Sequence, residues 1–402
     1  MSNRWETLGC RAFQAALKVG NCLMGYRMPE CLEGAGKAAE LGAFLRERKL
    51  GDALVVTGSG MMRRGQLAPM LRGFEENGIR YVVETYDATD PTSEDVERGY
   101  RAYRAQGCRM IVAVGGGSRI DCAKAIAARV AQPRKSVAQL QGLLKVHRRT
   151  PCVVAIPTTA GAGSETTVAA VITDAATHRK ASINDPFLIP RYAVLDPEMT
   201  VGLPPFMTAI TGMDALTHAV EAYTNRTYNT DLEDRLAREA VKRIHDSLPA
   251  AFADGSDLAA RQSMQRAAFC AGRAFTRGCV GYVHAIGHTL GSLYSIPHGL
   301  AMAVLLPHVL RRYGPAVHGR LAELADVCGI GSGSAQEKAG ALIEWIEAMN
   351  CRMGLPEGFD MIRDEDIPQI IAWALKEANP LYPVPVVWDA RDMRSLLDTV
   401  RR

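Results

Sequence analysis

Short apolar runs alternate with helical patterns through the first half of this 402-residue chain. Residues 53–57 (ALVVT), 110–114 (MIVAV) and 152–156 (CVVAI) have the length and continuous apolar character of buried strands. The same patterns predict further strands at residues 80–84 and 192–196, and helices at about residues 34–49, 70–76, 93–106 and 121–130. This alternation predicts a parallel sheet that helices cover on both faces and that binds ligands at the carboxyl ends of its strands.

The pattern changes near Pro204. Leu203, Pro204 and Pro205 interrupt the alternation, and from there to the C-terminus the periodicity is almost entirely helical. A chain of 402 residues is also too long for one small core. We therefore predict two domains, an α/β domain at residues 1–203 and an all-helical domain at residues 204–402.

Two glycine-rich loops follow neighbouring predicted strands. Residues 112–124 (VAVGGGSRIDCAK) read as a strand, a glycine triplet and the start of a helix, in which Ser118 can cap the helix or bond a phosphate. Glycines let the backbone approach a phosphate, and the helix start offers free N–H groups and a positive dipole end. Residues 157–165 (PTTAGAGSE) have the same character. The pair predicts a dinucleotide pyrophosphate site, although a tight turn alone would also explain glycines and the usual G-x-G-x-x-G spacing is absent.

The first predicted strand ends without the acidic residue that normally holds the ribose 2′-hydroxyl of NAD. Thr57 is followed by Gly58, Ser59 and Gly60, and then by Arg63 and Arg64. This combination permits a 2′-phosphate, so NADP as well as NAD is expected to bind. The alternative is that both arginines are simply solvated.

Residues 281–299 (GYVHAIGHTLGSLYSIPHG) hold three of the nine histidines. His284 and His288 are four apart and would share one helix face. On the same uninterrupted helix, His298 would lie about 21 Å from His284. We therefore expect the helix to end and the chain to fold back, with Gly291 and Pro297 supplying the break.

A second pair with the same spacing lies upstream in GMDALTHAVEAY, where Asp214 and His218 share a helix face. One carboxylate and up to four imidazoles suffice for a divalent transition metal with an open coordination position. The alternative is that each histidine is a hydrogen-bonded core residue. The combined pattern favours a catalytic metal site.

Composition excludes some other classes of protein. The net charge is only +4 and the arginines are scattered, which argues against a nucleic-acid partner. The ten cysteines form no CxxC pair, as expected for thiols in a reducing compartment. The N-terminal residues contain no apolar signal core, and no 18-residue apolar run occurs, so we expect a cytoplasmic protein without a membrane partner.

Five motifs together resemble the iron-containing (group III) alcohol dehydrogenase family, in that family's order and over nearly the whole chain. They are GGGSRIDCAK, IPTTAGAGSE, LDPEMTVGLPP, GMDALTHAVEAY and GYVHAIGHTLGSLYSIPHG. The resemblance implies an N-terminal nucleotide-binding domain, an all-helical metal-binding domain after it, and a divalent metal in the cleft between them.

Carried over by motif, the resemblance implies site residues of three kinds. The metal ligands would be Asp214, His218, His284 and His298. His288 would be a catalytic residue beside the nicotinamide. With the first glycine loop, the expected cofactor contacts are Gly116, Gly117, Ser118, Asp121, Thr158, Thr159 and Lys180.

Three positions depart from the family pattern. Gly58 replaces an Asp that favours NAD, Asp90 replaces an Asn near the cofactor, and Arg277 stands where an Asn is common. On a continuous helix, Arg277 and His284 would share a face about 10 Å apart. We therefore consider two roles for Arg277, a solvated or ion-paired residue and a partner for a substrate carboxylate.

The predicted function is a metal-dependent NAD(P) alcohol dehydrogenase or aldehyde reductase, with Fe²⁺ or, alternatively, Zn²⁺. Its partner would be a small alcohol or aldehyde, His288 would relay a proton, and the family often forms homodimers. A dehydroquinate-synthase-like lyase and a glycerol-dehydrogenase-like polyol oxidoreductase are alternatives of the same superfamily. A third alternative is a nucleotide-binding protein with a structural metal, whose coordination His288 would close.

Overall fold

The computed structural model of the chain describes residues 4–87, 90–175 and 180–402. It divides into two compact units. The first, here the sheet unit, combines Gly25–Leu203 with Gly255–Phe269. The second, here the helical unit, contains the chain up to Met24, Pro204–Asp254 and Cys270–Arg402.

The sheet unit contains two sheets. Its strands are β1 (Glu30–Glu33), β2 (Ala53–Thr57), β3 (Tyr81–Thr85), β4 (Met110–Gly115), β5 (Gly142–Leu143), β6 (Cys152–Pro157), β7 (Ala169–Thr173), β8 (Lys180–Asn184) and β9 (Tyr192–Leu195). The large sheet has six strands in the order β1-β9-β6-β4-β2-β3, and all its pairings are parallel. The small sheet has the order β5-β8-β7, with β7 antiparallel to β8.

Helices flank the large sheet because its central strands are apolar on both faces. On one face of β2, Leu54 and Val56 pack in a core cluster with residues of the helix that follows β4. On the other face, Val55 packs in a second cluster with residues of the helix that precedes β2. All five residues of β2 are buried, as expected for a parallel strand covered on both sides. The first helices are α1 (Arg4–Leu23), α2 (Lys37–Glu47), α3 (Ser59–Arg63), α4 (Ala68–Glu76), α5 (Ser93–Ala105), α6 (Gly117–Ala131) and α7 (Val137–Leu140).

After β9 the regular elements are all helical. They are α8 (Pro205–Thr224), α9 (Asp231–Ala253), α10 (Leu258–Gly278), α11 (Tyr282–Tyr294), α12 (His298–Tyr313), α13 (His318–Cys328), α14 (Ala335–Arg352), α15 (Ile367–Ala378) and α16 (Ala390–Val400), with short 3₁₀ turns between some of them. An α/β region with a parallel sheet followed by an all-helical region is the predicted fold class, which is confirmed.

The strands predicted from apolar runs agree with the structure to within one or two residues. The prediction missed β1, which forms the sheet edge beside β9, and the strands of the small sheet. The sequence of β1 is ECLE, and both of its glutamates are exposed. Such an edge strand carries too little apolar pattern to be recognised from sequence.

The unit boundaries depart from the predicted 1–203 and 204–402 in two segments. Helix α1 belongs to the helical unit because Arg11 and Gln14 donate hydrogen bonds to backbone carbonyls of Val384, Pro385, Pro380 and Tyr382. Residues 255–269 belong to the sheet unit because Gln262 and Gln265 donate to backbone carbonyls of Leu195, Pro157 and Asp196. Both segments are amphipathic helices, whose sequence does not say which unit their buried face contacts. No helix in the described residues is long and apolar enough to cross a bilayer.

Candidate metal centre

The helical unit brings one aspartate and three histidines together from three helices. Asp214 and His218 lie one turn apart on α8, which is buried along most of its length. His284 lies in the first turn of α11, and His298 is the first residue of α12. Only 4% of Asp214, 5% of His218 and 2% of His284 is exposed.

The turn between α11 and α12 allows His298 to return to the cluster. The break was predicted at Gly291 and Pro297, but Gly291 lies inside α11. The helix instead ends at Ser295, which adopts the left-handed conformation with φ 55°, and Pro297 precedes the first residue of α12. Gly299 then lies directly against α8, since a Cβ on it would be 2.2 Å from the carbonyl oxygen of Ile210. This close approach places His298 beside Asp214.

The four candidate ligand atoms lie within 4.8 Å of one another. Oδ1 of Asp214 is 3.8 Å from Nδ1 of His218, 3.9 Å from Nε2 of His284 and 3.3 Å from Nε2 of His298. Ligand atoms of a tetrahedral ion with bonds of about 2.1 Å are separated by about 3.4 Å. The spacing therefore fits a single divalent ion with little rearrangement.

The hydrogen bonding of these atoms also fits an ion. Among the described residues, Asp214 Oδ1, His218 Nδ1 and His284 Nε2 are buried and have no hydrogen-bond partner. Buried polar atoms without partners are unfavourable and rare in proteins. Three such atoms facing one another are explained by a cation that accepts all their lone pairs.

Burial keeps the imidazoles of His218 and His284 neutral, as metal ligands must be. It lowers the pKa of His218 to about 3 and that of His284 well below its ordinary value. Burial alone would raise the pKa of Asp214, but the neighbouring His218 and His298 outweigh it and hold that pKa below the usual range. The cluster therefore offers one negative carboxylate and neutral ring nitrogens.

A further carboxylate, which the sequence analysis did not assign, contacts this cluster. Glu221 lies on α8 two turns after Asp214, and its Oε2 is 2.6 Å from Nδ1 of His284. Its Oε1 accepts a hydrogen bond from the backbone N–H of Val283 at 2.8 Å. Burial raises the pKa of Glu221 to about 7, and backbone hydrogen bonds from Gly281 and Val283 oppose that rise. The only sequence signal for this residue is its spacing from Asp214 and His218 on the same helix face.

His288 lies next to the cluster and is not one of the four grouped residues. Its ring stacks on that of His298 with centroids 5.2 Å apart, and its Nδ1 is 2.7 Å from Oε1 of Glu377. The hydroxyl of Tyr382 donates to the same oxygen at 3.0 Å. Glu377 and Tyr382 were not assigned from the sequence, because nothing in their local pattern distinguishes them.

The two glycine-rich loops are adjacent at the carboxyl edge of the large sheet. Gly115 of β4 pairs with Pro157 of β6, so the loops that follow these strands lie side by side. A Cβ on Gly117 would be 2.8 Å from the Cβ of Ala162, and one on Gly116 would be 3.4 Å from Oγ1 of Thr159. Packing between the loops thus accounts for Gly117, while the N-terminus of α6 beside them provides N–H groups for a phosphate. Ser118 lies in the first turn of α6, and Thr158 donates its N–H to the carbonyl of Gly115 at 3.0 Å.

Asp121 has a structural contact that the sequence analysis did not assign. Its carboxylate accepts hydrogen bonds from the hydroxyl of Ser164 and the N–H of Val171. Beside it, the fully buried Lys124 donates to Ser164 at 3.0 Å and to Thr167 at 2.8 Å. Burial lowers the pKa of Lys124 to about 8. Asp121 and Lys124 thus tie α6 to the segment that follows the second glycine loop.

The adenosine end of the predicted cofactor site differs from the expectation. The sequence analysis found no carboxylate near the end of β2, but the hydroxyl of Ser59 donates to the carboxylate of Asp87, which follows β3. Arg63 donates to the same hydroxyl at 3.0 Å. Lys180 forms an exposed ion pair with Asp90 at 2.8 Å. Asp87 was missed because β2 and β3 are adjacent in the sheet but separated in sequence.

Arg277 does not lie on a continuous helix with His284. Helix α10 ends at Gly278, Cys279 adopts a left-handed conformation with φ 62°, and α11 begins only at Tyr282. The guanidinium of Arg277 donates to the backbone carbonyl of Tyr228 at 2.9 Å. The expected shared helix face is therefore wrong.

A parallel sheet with paired glycine-rich loops, and a helical unit with a cluster of three histidines and one aspartate, are typical of a nucleotide-dependent metalloenzyme. Residues 29–197 match the family profile described as iron-containing alcohol dehydrogenase. Residues 208–400 match the C-terminal profile of the Fe-containing alcohol dehydrogenase family. The chain belongs to the iron-containing alcohol dehydrogenase family, and the predicted resemblance is confirmed.

Individual relatives agree with this assignment. The chain is 36% identical over 346 residues to the NAD-dependent methanol dehydrogenase of Bacillus methanolicus, covering 84% of this chain and 90% of that protein. It is similar to the crystal structure of a 1,3-propanediol oxidoreductase with a TM-score of 0.89 and 32% identity, covering 94% of this chain and 100% of the other. For sulfoacetaldehyde reductase from Bifidobacterium kashiwanohense in complex with NAD⁺, the TM-score is 0.84 at 28% identity, covering 94% and 98% of the two chains.

Proposed function

We propose that this protein is a metal-dependent alcohol dehydrogenase that transfers hydride between NAD(H) and a small alcohol or aldehyde. The observation that carries the proposal is the cluster of four candidate ligands, three of them buried. Three of its polar atoms lack hydrogen-bond partners among the described residues. Membership of the iron-containing alcohol dehydrogenase family supports the same reaction.

Asp214, His218, His284 and His298 would hold a divalent ion, Fe²⁺ or alternatively Zn²⁺, since carboxylate and imidazole suit both. When bound, such an ion would supply a Lewis acid that lowers the pKa of the substrate hydroxyl. The nicotinamide cofactor supplies the hydride chemistry. The contribution of the chain is to hold one carboxylate and three imidazole rings at a fixed spacing.

We assign the proton transfer to His288. The Glu377 carboxylate holds a ring hydrogen on Nδ1 of His288 and leaves Nε2 free of that hydrogen as a proton acceptor. Tyr382 fixes the carboxylate by donating to the same oxygen. Because the His288 side chain is 45% exposed, a proton taken up at Nε2 can pass to water.

For the cofactor, we infer that NAD(H) is preferred and that NADP(H) is accepted less well. One relative is an NAD-dependent methanol dehydrogenase, and the similar sulfoacetaldehyde reductase structure is a complex with NAD⁺. Both support NAD(H) as the preferred cofactor. Gly58 lacks the usual carboxylate, but Asp87 brings one beside Ser59, where it would repel a 2′-phosphate. Arg63 and Arg64 nearby would offset part of that repulsion. The glycine loops, Thr158, Thr159 and Lys180 remain the proposed contacts to the rest of the cofactor.

The structure disfavours the alternatives. A dehydroquinate-synthase-like lyase requires several basic side chains at the site, and Arg277, the candidate from the sequence, donates to the Tyr228 carbonyl. A structural metal would have its coordination closed by His288, which is not among the four residues whose ligand atoms lie within 4.8 Å of one another. A polyol oxidoreductase would use the same hydride chemistry with a different substrate. The homodimer and the cytoplasmic location remain predictions.

The test is consumption of NADH by metal-free protein reconstituted with Fe²⁺ or Zn²⁺, using a panel of short aldehydes, hydroxyaldehydes and ketones. We expect turnover only after a divalent ion is added, and higher kcat/KM with NADH than with NADPH. Absence of turnover across the panel with both ions and both cofactors would contradict the proposed function.

A further inference from the structure

We propose that Glu221 is a positioning residue for the metal centre, and that it fixes both the tautomer and the orientation of His284. This inference rests on the proposed function, because it takes the cluster of Asp214, His218, His284 and His298 to be a metal site. In this role, Glu221 contacts neither the substrate nor the cofactor. It would act entirely through His284.

The hydrogen bonding of the His284 imidazole supports this role. Nδ1 of His284 is 2.6 Å from Oε2 of Glu221, so the ring hydrogen of the neutral imidazole is held on Nδ1. The opposite nitrogen, Nε2, faces Asp214 and has no hydrogen-bond partner among the described residues. Glu221 thereby presents the lone pair of Nε2 to the centre of the cluster. A carboxylate behind a ligating histidine also makes its ring a stronger donor to a metal.

Glu221 also contacts the backbone at the start of α11. Gly281 precedes α11 and provides no side-chain cap, whereas Oε1 of Glu221 accepts the N–H of Val283 at 2.8 Å. A negative carboxylate at a helix N-terminus is also favoured by the helix dipole. One buried carboxylate on α8 therefore sets the backbone of the first turn of α11 and the ring of His284 within that turn.

Gly281 leaves space for the Glu221 carboxylate. A Cβ at this position would be 2.8 Å from Oε1 of Glu221. The backbone of Gly281 has φ −139°, which any residue can adopt, so conformation alone does not require glycine here. A larger residue would instead displace the Glu221 carboxylate.

The N–H of Val283 and the Nδ1–H of His284 donate to different oxygens of Glu221, which makes Glu221→Gln a sharp test. A glutamine of the same shape has only one side-chain acceptor oxygen, so it can accept from either Val283 N–H or His284 Nδ1–H. Its NH₂ group, a donor, would then face the other donor. The probe is Co²⁺ added to the metal-free full-length protein, with affinity measured by competition against a chelator. We expect Glu221→Gln to bind Co²⁺ about 10- to 100-fold more weakly than wild type, with altered visible absorption bands of the bound ion.

Glu233→Gln is the matched control. Glu233 is also a fully buried carboxylate of the helical unit; it accepts the N–H of Thr230 at 2.9 Å and pairs with Arg273 at 2.8 Å. It contacts none of the four candidate ligands in these interactions. We expect its substitution to lower the unfolding temperature and to leave Co²⁺ affinity within about threefold of wild type.

Gly281→Ala provides a second variant in case Glu221→Gln does not fold. It keeps the carboxylate and displaces it, so we expect a weaker effect in the same direction, a severalfold loss of Co²⁺ affinity. Wild-type affinity in Glu221→Gln, or in Gly281→Ala if the first variant does not fold, would overturn the inference alone. An equal loss in Glu233→Gln would also overturn it. Failure of the wild type to bind Co²⁺ would overturn the proposed function and this inference together.

Discussion

The metal cluster and the group around Lys124 are both mostly buried but differ in how their polar atoms are satisfied. In the metal cluster, Asp214, His218 and His284 each keep a buried atom without a partner among the described residues. In the group around Lys124, the ammonium donates to Ser164, Thr167 and the Ala169 carbonyl, and Asp121 accepts from Ser164 and Val171.

This difference separates a binding site from a structural network. A satisfied network stabilises the fold and has no vacancy for a ligand, whereas buried polar atoms without partners lower stability unless something binds to them. Perturbed pKa values do not make the distinction, because burial shifts the pKa of both Lys124 and His218. What distinguishes the two groups is that three buried polar atoms of the metal cluster lack hydrogen-bond partners among the described residues. Substitutions in the Lys124 network should therefore affect stability, and those in the metal cluster should affect binding.

The largest effect on stability is expected from Lys124→Met. This change removes the buried cation 3.9 Å from the Asp121 carboxylate and the ammonium that donates to the carbonyl of Ala169. Loss of one partner of a buried ionic group costs about 3 kcal/mol or more. The free energy of unfolding, measured by denaturant titration, should fall by about that amount. Lys37→Met is the control, since the pair of Lys37 with Glu40 is exposed and should contribute about 0–1 kcal/mol. Equal stability of both variants would remove the proposed difference between the two groups.

The next largest effect is expected from His288→Ala. This residue lies beside the metal cluster but is not among its four candidate ligands, so it should serve proton transfer and not metal binding. We expect kcat to fall by about 100-fold, a typical contribution of a general acid–base group, and the pH dependence of kcat to change. Steady-state kinetics across pH test this. An unchanged kcat and pH profile would exclude His288 from the proton path.

A smaller effect is expected at the adenosine end of the cofactor site. Asp87→Asn removes the carboxylate that accepts from Ser59, so it should raise kcat/KM for NADPH relative to NADH by about tenfold, which corresponds to about 1.4 kcal/mol. Gly58→Asp should shift the ratio the other way, toward NADH. Both predictions are tested by measuring the ratio of kcat/KM with NADPH to kcat/KM with NADH in each variant. No change in either variant would exclude this end of β2 as the determinant of cofactor preference.

Local patterns in the sequence predicted much of the fold and part of the site. The buried strands β2, β4 and β6 were predictable because strands covered on both faces are continuously apolar. Asp214, His218 and His284 were recognisable from helical spacing and motif. Glu377 and Asp87 were not, because each meets its partner through packing of elements that are distant in the sequence. The same holds for β1, which pairs with β9 although the two strands are far apart in the sequence.

The most direct test of the account is the metal content of three purified proteins: wild type, His284→Ala and His288→Ala. Each would be made metal-free, incubated with Fe²⁺ or Zn²⁺, freed of excess ion and analysed for metal per chain. We predict one ion per chain for the wild type and for His288→Ala, and loss of that ion in His284→Ala, because an open site has no ligand to spare. Retention of one ion by His284→Ala, or its loss in His288→Ala, would contradict the assignment of Asp214, His218, His284 and His298 as the metal ligands.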